Sequence, residues 1–287
     1  MLIPSCFVCS GKQCISSLAI QTAAGEIPYF QCSDCSLIFQ DPGVSFKESE
    51  IYNADYILKR SQDPGNLNIS RPREKTAEHY YTWVEKFVPK GNLLEIGCAT
   101  GIALKVAKNH GWNVFGVEVN EQAATVARKL LGSDVIRVGN FNNDMFPDEY
   151  FSLITLFDVL EHIPHPVEFL TLLHKKLAPG GSILFVTPTI DSLSFKILKE
   201  KWPHFVQEHL LLYSTKSINQ LLTTTHFLPK KHGWAIKYLS IEMLKTHCEH
   251  HPQTFFYKPI RWLLRLAPTG VIPFNVGEMF VFAQKIS

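Results

Sequence analysis

The sequence predicts an α/β protein built on a doubly wound, mainly parallel sheet, preceded by a small N-terminal module held by four cysteines. Three observations lead there. From residue 92 onward, short apolar runs alternate with stretches of helical periodicity, the pattern of strands joined by crossover helices. The first such run leads directly into Gly97-Cys98-Ala99-Thr100-Gly101, after which a helix starts at once. Five of the seven cysteines fall within the first 35 residues, which marks a local module and not scattered core thiols.

Composition sets the outer bounds. The 287 residues are 46% hydrophobic and 19% charged, enough for one sizeable core, which excludes collagen-like, disordered and coiled-coil chains. At roughly 150 residues per domain the length allows one large domain or one plus a small module, and composition alone does not choose between them. Lys+Arg 28 against Asp+Glu 26 gives a net charge of +2, too balanced to predict a phosphate-binding surface, so a nucleic-acid partner is not favoured. No apolar run reaches the roughly 20 residues needed to span a bilayer. The start, MLIPSCFVCS, lacks a basic stretch followed by an apolar one, so a cytoplasmic location is expected.

The module comes first. Cys6-x2-Cys9, then 22 residues, then Cys32-x2-Cys35 gives two thiolate pairs, each able to occupy two corners of a tetrahedron from one tight knuckle. The expected ligand is a structural zinc ion in a ribbon spanning residues 1–45. Redox dithiols are the competing reading, but a redox motif needs no second copy at this spacing. Four thiolates fill the coordination sphere and leave no place for a reactive water. Between the pairs, GEIPYFQC reads as an extended stretch whose aromatics cover the metal, and SLIFQDP after them reads as a short apolar strand ending at Pro42. Cys14 reads as a small apolar filler. Residues 46–71 are polar and turn-rich and are expected to form a linker, with Tyr52 and Tyr56 as its aromatic exceptions.

The large domain, residues 72–287, follows. Pro72 opens a helix in which Ala77, Tyr80, Tyr81, Val84, Phe87 and Val88 recur at helical spacing before Pro89 and Gly91. Then come LLEIG as a strand, IALKVAKNH as a helix stopped by Gly111, WNVFGVEV as a strand, and Asn120 capping EQAATVARKLL ahead of Gly132. DVIRVG and FSLITLFD read as strands and PVEFLTLLHKKL as a helix. Pro179-Gly180-Gly181 reads as a turn and SILFVTP as a further strand. A helix near TKSINQLLTTT, a strand near GWAIKYL and a last strand in GEMFVFAQK complete the series.

The glycine turn carries the first chemistry. Gly97 and Gly101 let the backbone turn tightly and approach a ligand, while the following helix presents unpaired amides. Glu118, seventeen positions beyond Gly101 at the end of the second strand of the alternation, is placed to accept hydrogen bonds from a ribose diol. A dinucleotide fingerprint would need Gly-x-Gly-x-x-Gly, and this chain has Gly-x-Ala-x-Gly preceded by Glu95.

That arrangement resembles motif I of the Rossmann-like S-adenosylmethionine-dependent methyltransferases. The resemblance continues through Gly139-Asn140-Phe141, through FSLITLFDVLEHIPHP at 151–166 and through LAPGGSILFVTP. It implies a seven-stranded sheet with insertions at about 189–214 and 240–275. It also implies S-adenosylmethionine as cofactor, with S-adenosylhomocysteine as product. The cofactor-binding residues it implies are Glu95, Gly97, Ala99, Gly101, Glu118, Asn140, Phe141 and Asp158, with Tyr56 closing over the ligand. Ala99 stands where the family has a glycine, so a slightly altered backbone is expected there. With its ribbon, the chain resembles bacterial zinc-ribbon methyltransferases of sugar modification and natural-product assembly, which implies oxygen or carbon as acceptor on a small or carrier-linked molecule.

Methyl transfer from a sulfonium needs alignment and, for a hydroxyl or carbon acid, a base. After the fourth strand the chain reads Phe157-Asp158-Val159-Leu160. It lacks the Asn/Asp-Pro-Pro-aromatic tetrad of amino-group methylation and the Pro-Cys of cytosine-C5 chemistry. Glu161 and His162 fall where the methyl should meet its acceptor. His162 is the first candidate base, and the competing role for this pair is to cap a helix or hold the loop. Asp158-x2-Glu161-His162 also resembles the segment that ubiquinone-pathway O-methyltransferases and the plant small-RNA 2'-O-methyltransferase use to hold a divalent metal. His204, Glu208, His209 and Tyr213 in WPHFVQEHLLLYS form a second constellation, with His209 as second candidate base or metal ligand.

His247, His250 and His251 read as an exposed helix face. Lys258, Arg261 and Arg265 among large apolar residues read as a lid or core helix, with weak membrane-surface contact as the lesser reading. Two other functions remain open at the level of sequence: a ribosomal-RNA base methyltransferase with a zinc module, which the charge balance disfavours, and a non-catalytic scaffold, which the intact Glu95, Gly97, Gly101 and Glu118 disfavour.

Overall fold

The computed structural model describes residues 4–22, 25–42, 67–242, 245 and 270–286. The N-terminal module contributes β1 (Cys14–Thr22), β2 (Gly25–Cys32) and β3 (Ile38–Gln40). After it come α1 (Leu67–Val84), β4 (Asn92–Ile96), α2 (Ile102–Asn109), β5 (Asn113–Glu118), α3 (Glu121–Leu131) and β6 (Ile136–Val138). The next stretch holds β7 (Phe151–Phe157), α4 (Pro166–Lys176), β8 (Leu177–Pro188), α5 (Leu193–Leu198), β9 (Leu211–Leu212) and α6 (Thr215–Thr224). β10 (Phe227–Trp234), β11 (Lys237–Ser240), β12 (Val271–Phe274) and β13 (Glu278–Lys285) close the series.

Among the described residues seven strands form the main sheet in the order β10-β13-β8-β7-β4-β5-β6. The four pairings from β8 to β6 are parallel, while β13 pairs antiparallel with both β8 and β10 and so alone runs opposite to the others. Strand order reverses between β4 and β7, so the crevice outside their carboxyl ends is where a ligand fits such a sheet. Strand periodicity sends alternate residues to opposite faces. Leu94, Ile154 and Ile183 join α4, α6 and the N-terminal module in one core, whereas Leu93, Leu153 and Leu184 join α1, α2 and α3 in the other.

Several elements depart from the sequence expectation, each for a physical reason. α1 begins at Leu67, inside the stretch read as linker, because a proline costs one backbone bond yet carries a helical φ, so the helix extends ahead of Pro72. Phe87 and Val88 lie beyond its end. DVIRVG yields only a three-residue strand, since Ser133–Val135 forms one turn of 3-10 helix. Pro179-Gly180-Gly181 does not separate two elements. It is absorbed as a bulge within β8, where pairing jumps from Phe151↔Leu177 to Leu153↔Ser182. GWAIKYL splits in two: β10 ends at Trp234, and β11 leaves the main sheet to pair with β12. Ala235 and Ile236 make that transfer by donating their amides to the Glu278 carbonyl at 2.9 Å and the Tyr80 hydroxyl at 3.0 Å.

The N-terminal module is not an appendage. β9, from the segment after β8, pairs antiparallel with β3 and completes a four-stranded sheet in the order β1-β2-β3-β9. One face of that sheet, with Phe30 and Phe39, packs into the main core, and the other, with Ile27, Tyr29, Ile38 and Leu212, packs on Ile190, Trp202 and Phe205. Tyr29 and Phe39 are fully buried, and burial of each such side chain stabilises by about 2 kcal/mol.

Candidate active site

Three residues of the glycine turn, Gly97, Ala99 and Gly101, hold left-handed backbone with φ of 70°, 47° and 78°. A Cβ at Gly97 would stand 2.6 Å from Val159 Cγ2, so glycine is required there for space as well as conformation. Ala99 adopts the left-handed region despite its methyl, at a cost of about 1 kcal/mol. Its amide donates to Glu118 Oε2 at 2.8 Å, and the Asn120 amide donates to Oε1 at 2.9 Å. Glu118 therefore braces the turns after β4 and β5 together, a role the ribose-diol expectation did not include. Each of its oxygens retains a second lone pair.

Glu95, one residue before the end of β4, is 4% exposed, and its Oε2 has no hydrogen-bond partner among the described residues. Burial, and then the charge of Glu118, push its carboxyl up to about 8. Glu118 is raised as well, by burial. Asn140 and Phe141 follow β6, where the Gly139 amide donates to the Glu118 carbonyl at 3.0 Å. Asn140 is exposed, and Phe141 is half-buried edge-on to Phe169.

Beyond β7, Asp158 (φ 57°) is clamped by Lys237 of β11, whose Nζ donates to Oδ1 at 2.8 Å and Oδ2 at 2.6 Å. The same ammonium reaches Glu278 at 2.8 Å. Burial opposes the charge on Lys237, but the two carboxylates outweigh it and hold its pKa above the usual lysine value. Glu278 is pushed up to about 7 by burial, then by Asp158. Electrostatic demand is thus not confined to Glu95 and Glu118.

Glu161, in the 3-10 turn Leu160–His162, is fully buried. Its Oε2 accepts from the Thr187 hydroxyl at 2.9 Å, while Oε1 has no hydrogen-bond partner among the described residues. Burial, then the charge of Asp158, raise it well above the carboxylate range. His162 Nδ1 lies 2.7 Å from the Glu208 carbonyl, and His209 Nδ1 lies 2.7 Å from the His204 carbonyl. Carbonyls only accept, so both Nδ1 atoms carry a proton, and in the neutral form of each ring the lone pair falls at Nε2. Ligand atoms of Glu161, His162 and His209 lie within 4.8 Å of one another. His204 has the opposite orientation, donating from Nε2 to the Val276 carbonyl at 2.8 Å and stacking on His209.

The four cysteines form a second centre. Sγ atoms of Cys6 and Cys35 are 3.5 Å apart, as are those of Cys9 and Cys32, and all four lie within 4.8 Å. A tetrahedral zinc with bonds of about 2.3 Å needs sulfurs about 3.8 Å apart. The two knuckles share one shape. Ser10 and Ser36 follow the second cysteine of each with φ of 57° and 65°, and their amides donate to the Cys6 and Cys32 carbonyls at 3.0 and 2.9 Å. These donors fit a zinc ion. Cys14 is buried beside them, its thiol on the Gly11 carbonyl, outside the four.

A family model described as a methyltransferase domain matches residues 70–227. The chain belongs to that family. Over 100 residues, 33% of this methyltransferase-domain chain, it is 28% identical to the ubiquinone biosynthesis O-methyltransferase of Pseudomonas aeruginosa, covering 43% of that protein. Over 111 residues, 36% of the chain, it is 27% identical to the protein of the same description from Photobacterium profundum, covering 46% of it. The chain therefore spans less than half the length of these curated relatives. A SAM-dependent methyltransferase of Thermotoga maritima superposes with TM-score 0.51 at 17% identity, covering 80% of this chain and 99% of that one. Geranyl diphosphate C-methyltransferase of Streptomyces coelicolor, solved with Mg2+, geranyl diphosphate and S-adenosylhomocysteine, gives 0.50 at 13% identity over 78% and 88%. At these identities the likeness is one of fold.

Within the methyltransferase domain, Glu95, Gly97, Ala99, Gly101, Glu118, Asp158, Glu161 and His162 all follow from the carboxyl ends of β4, β5 and β7. His209 reaches the same place from the segment after β8. Tyr52 and Tyr56, the histidines 247, 250 and 251, and Lys258, Arg261 and Arg265 lie outside the described residues. Sequence reasoning missed Lys237, Glu278 and Thr187. The only signal for Lys237 was a single charge inside the apolar run GWAIKYL. Glu278 and Thr187 sit at strand ends and gave none.

Proposed function

We propose that the protein is an S-adenosylmethionine-dependent methyltransferase that methylates an oxygen of a small or carrier-linked molecule, of the kind met in sugar, natural-product or cell-surface assembly. One observation carries the reading: ligand atoms of Glu161, His162 and His209 converge just after β7, at the switch point of the sheet, where the neighbouring Val159 stands against Gly97. The family membership and the description of the curated relatives as O-methyltransferases support it.

S-adenosylmethionine would supply the methyl group as a sulfonium. Glu95 offers the unpartnered Oε2 of its carboxyl to the cationic end of that ligand, whose charge offsets the burial that raises its pKa. Glu118 holds the turn open through the Ala99 and Asn120 amides and keeps lone pairs for a ribose diol. Gly97 and Gly101 bring the backbone close, and Asn140 and Phe141 frame the adenine side.

Glu161, His162 and His209 form the acceptor-activating centre. One carboxylate and two imidazoles would hold a divalent cation, which would supply Lewis acidity toward the acceptor oxygen. Nδ1–H bonds to backbone carbonyls fix both rings with Nε2 as donor atom, the usual outer support of a ligating histidine. Cys6, Cys9, Cys32 and Cys35 hold a separate, structural zinc.

The test combines calorimetry with S-adenosylhomocysteine, metal analysis, and transfer of labelled methyl to a panel of sugar and phenolic hydroxyls. The reading expects cofactor binding, one zinc per chain resistant to dialysis, and turnover lost when a second, exchangeable divalent ion is removed. Turnover indifferent to that removal would instead make His162 and His209 bases acting at Nε2. Absence of cofactor binding would return the protein to the scaffold class.

A further inference from the structure

We infer that Gln40, a residue of the N-terminal cysteine module, is a positioning residue for the methyl-acceptor centre: its side-chain amide holds the loop that carries His209. The inference rests on the reading of His209 given above. Gln40 ends β3, is 4% exposed, and sends its Nε2 into the loop after α5. There it lies 3.0 Å from the carbonyls of Gln207 and His209, 3.5 Å from that of Val206 and 3.0 Å from the Tyr29 hydroxyl. Three of these four partners are carbonyls, which only accept, so the orientation of the amide is dictated by its surroundings.

The contact is aimed at chemistry and not only at packing. Gln40 grips the peptide of His209 itself, while His209 Nδ1 is held from the other side by the His204 carbonyl and His162 Nδ1 by the Glu208 carbonyl. Both candidate ligand histidines are therefore oriented by one loop, 204–209, and the far end of that loop is fastened to the module. Backbone bonds continue the attachment: the Gln40 amide donates to the Leu210 carbonyl at 2.9 Å, β3 pairs with β9, and the Ser214 hydroxyl donates to the Cys35 carbonyl at 3.1 Å. The route from cysteine knuckle to His209 is thus continuous through Cys35, Ser214, β9 and Gln40. The module builds one wall of the acceptor site.

Two variants of the whole zinc-loaded chain test this. Gln40→Met keeps side-chain length and removes the donor. Gln40→Glu keeps the shape and sets acceptor oxygens against three carbonyls, so it is the more damaging. The expected result is a kcat lowered by about 10- to 100-fold, the range for lost outer support of a ligating residue. KM for S-adenosylmethionine and affinity for S-adenosylhomocysteine stay unchanged, with one zinc still bound per chain. Two readouts report on position directly: the His209 imidazole resonances shift, and amides of residues 206–210 exchange faster.

His209→Ala is measured in parallel. If it retains turnover, the role given to His209 fails while the loop-exchange effect of the Gln40 variants still stands. If His209→Ala abolishes turnover but both Gln40 variants keep the parent's kcat, His209 resonances and exchange rates, the positioning proposal is overturned. Should both Gln40 variants lose S-adenosylhomocysteine binding, Tyr29→Phe, which deletes only one oxygen from the network, replaces them. A shifted His209 resonance and a smaller loss of kcat are then expected, and an unmoved resonance overturns the proposal.

Discussion

His162 and His209 meet edge to face with ring centroids 4.9 Å apart and planes at 69°, each fixed through Nδ1 by a carbonyl of the segment 204–208. In the proposed acceptor centre the two rings act together, so their removal should not be additive. His162→Ala and His209→Ala are each expected to lower kcat by about 10²- to 10⁴-fold, and the double variant to fall little further. Steady-state kinetics with cofactor affinity measured alongside checks this. Independent, multiplying losses would mean two separate roles.

Glu95 gives a pH dependence with a definite sign. Its folded pKa of about 8 lies above its ordinary value of 4.5, so the folded state holds a proton that the unfolded state has released. Its contribution is present below about 4.5 and is lost as pH rises toward 8. The ligand-free protein is expected to lose thermal stability over that window, and Glu95→Gln to flatten the loss. S-adenosylhomocysteine keeps the ammonium group of S-adenosylmethionine, and an ammonium placed beside Glu95 favours the carboxylate and so releases a proton. S-adenosylhomocysteine affinity should therefore strengthen as pH rises toward 8 in the parent and much less in Glu95→Gln. Calorimetry in buffers of different ionisation enthalpy measures the proton directly.

Lys237 holds together two carboxylates that would otherwise repel. Removing it by Lys237→Met leaves the almost fully buried Glu278 beside Asp158 without a cation, a change expected to cost about 3 kcal/mol. Lys237→Met combined with Glu278→Gln should recover part of that loss in denaturant unfolding. A single variant as stable as the parent would show that the carboxylates accommodate each other by protonation alone.

Loss of the zinc proposed for Cys6, Cys9, Cys32 and Cys35 should be felt in the large domain. Cys9→Ser is expected to lower Tm by about 5–10 °C and to speed amide exchange at Leu211 and Leu212, whose strand is completed by β3. Faster exchange confined to residues 4–42 would show instead that the module melts alone.

The elements of the doubly wound sheet were legible because each carries its own local pattern. EQAATVARKLL forms α3 with Asn120 as its cap, the Asn120 side chain accepting from the Ala123 amide. Gly97 and Gly101 could be read from the need for left-handed backbone. Glu161 and His162 could be read because they follow a strand directly. What stayed hidden were relationships between distant segments. Leu211 and Leu212 look like the start of a main-sheet strand, and nothing local reveals that they pair with Ile38 and Phe39. Gln40 resembles any polar residue ending a strand until the loop it grips is in place. Lys237 was visible as a charge in an apolar run, but its partners lie at the ends of two other strands.

The two-residue strand β9 also sets an order of events. The four knuckle cysteines, Cys6 to Cys35, all precede the parallel sheet in the chain, so the knuckles can close early. The open edge of β3 cannot: its partner emerges only with Leu211 and Leu212, after most of the parallel sheet has been made. Until then the nascent chain carries an unpaired apolar strand edge, a hazard for aggregation. A segment synthesised ahead of the parallel sheet is therefore completed only after most of that sheet, and its completion coincides with the arrival of His209.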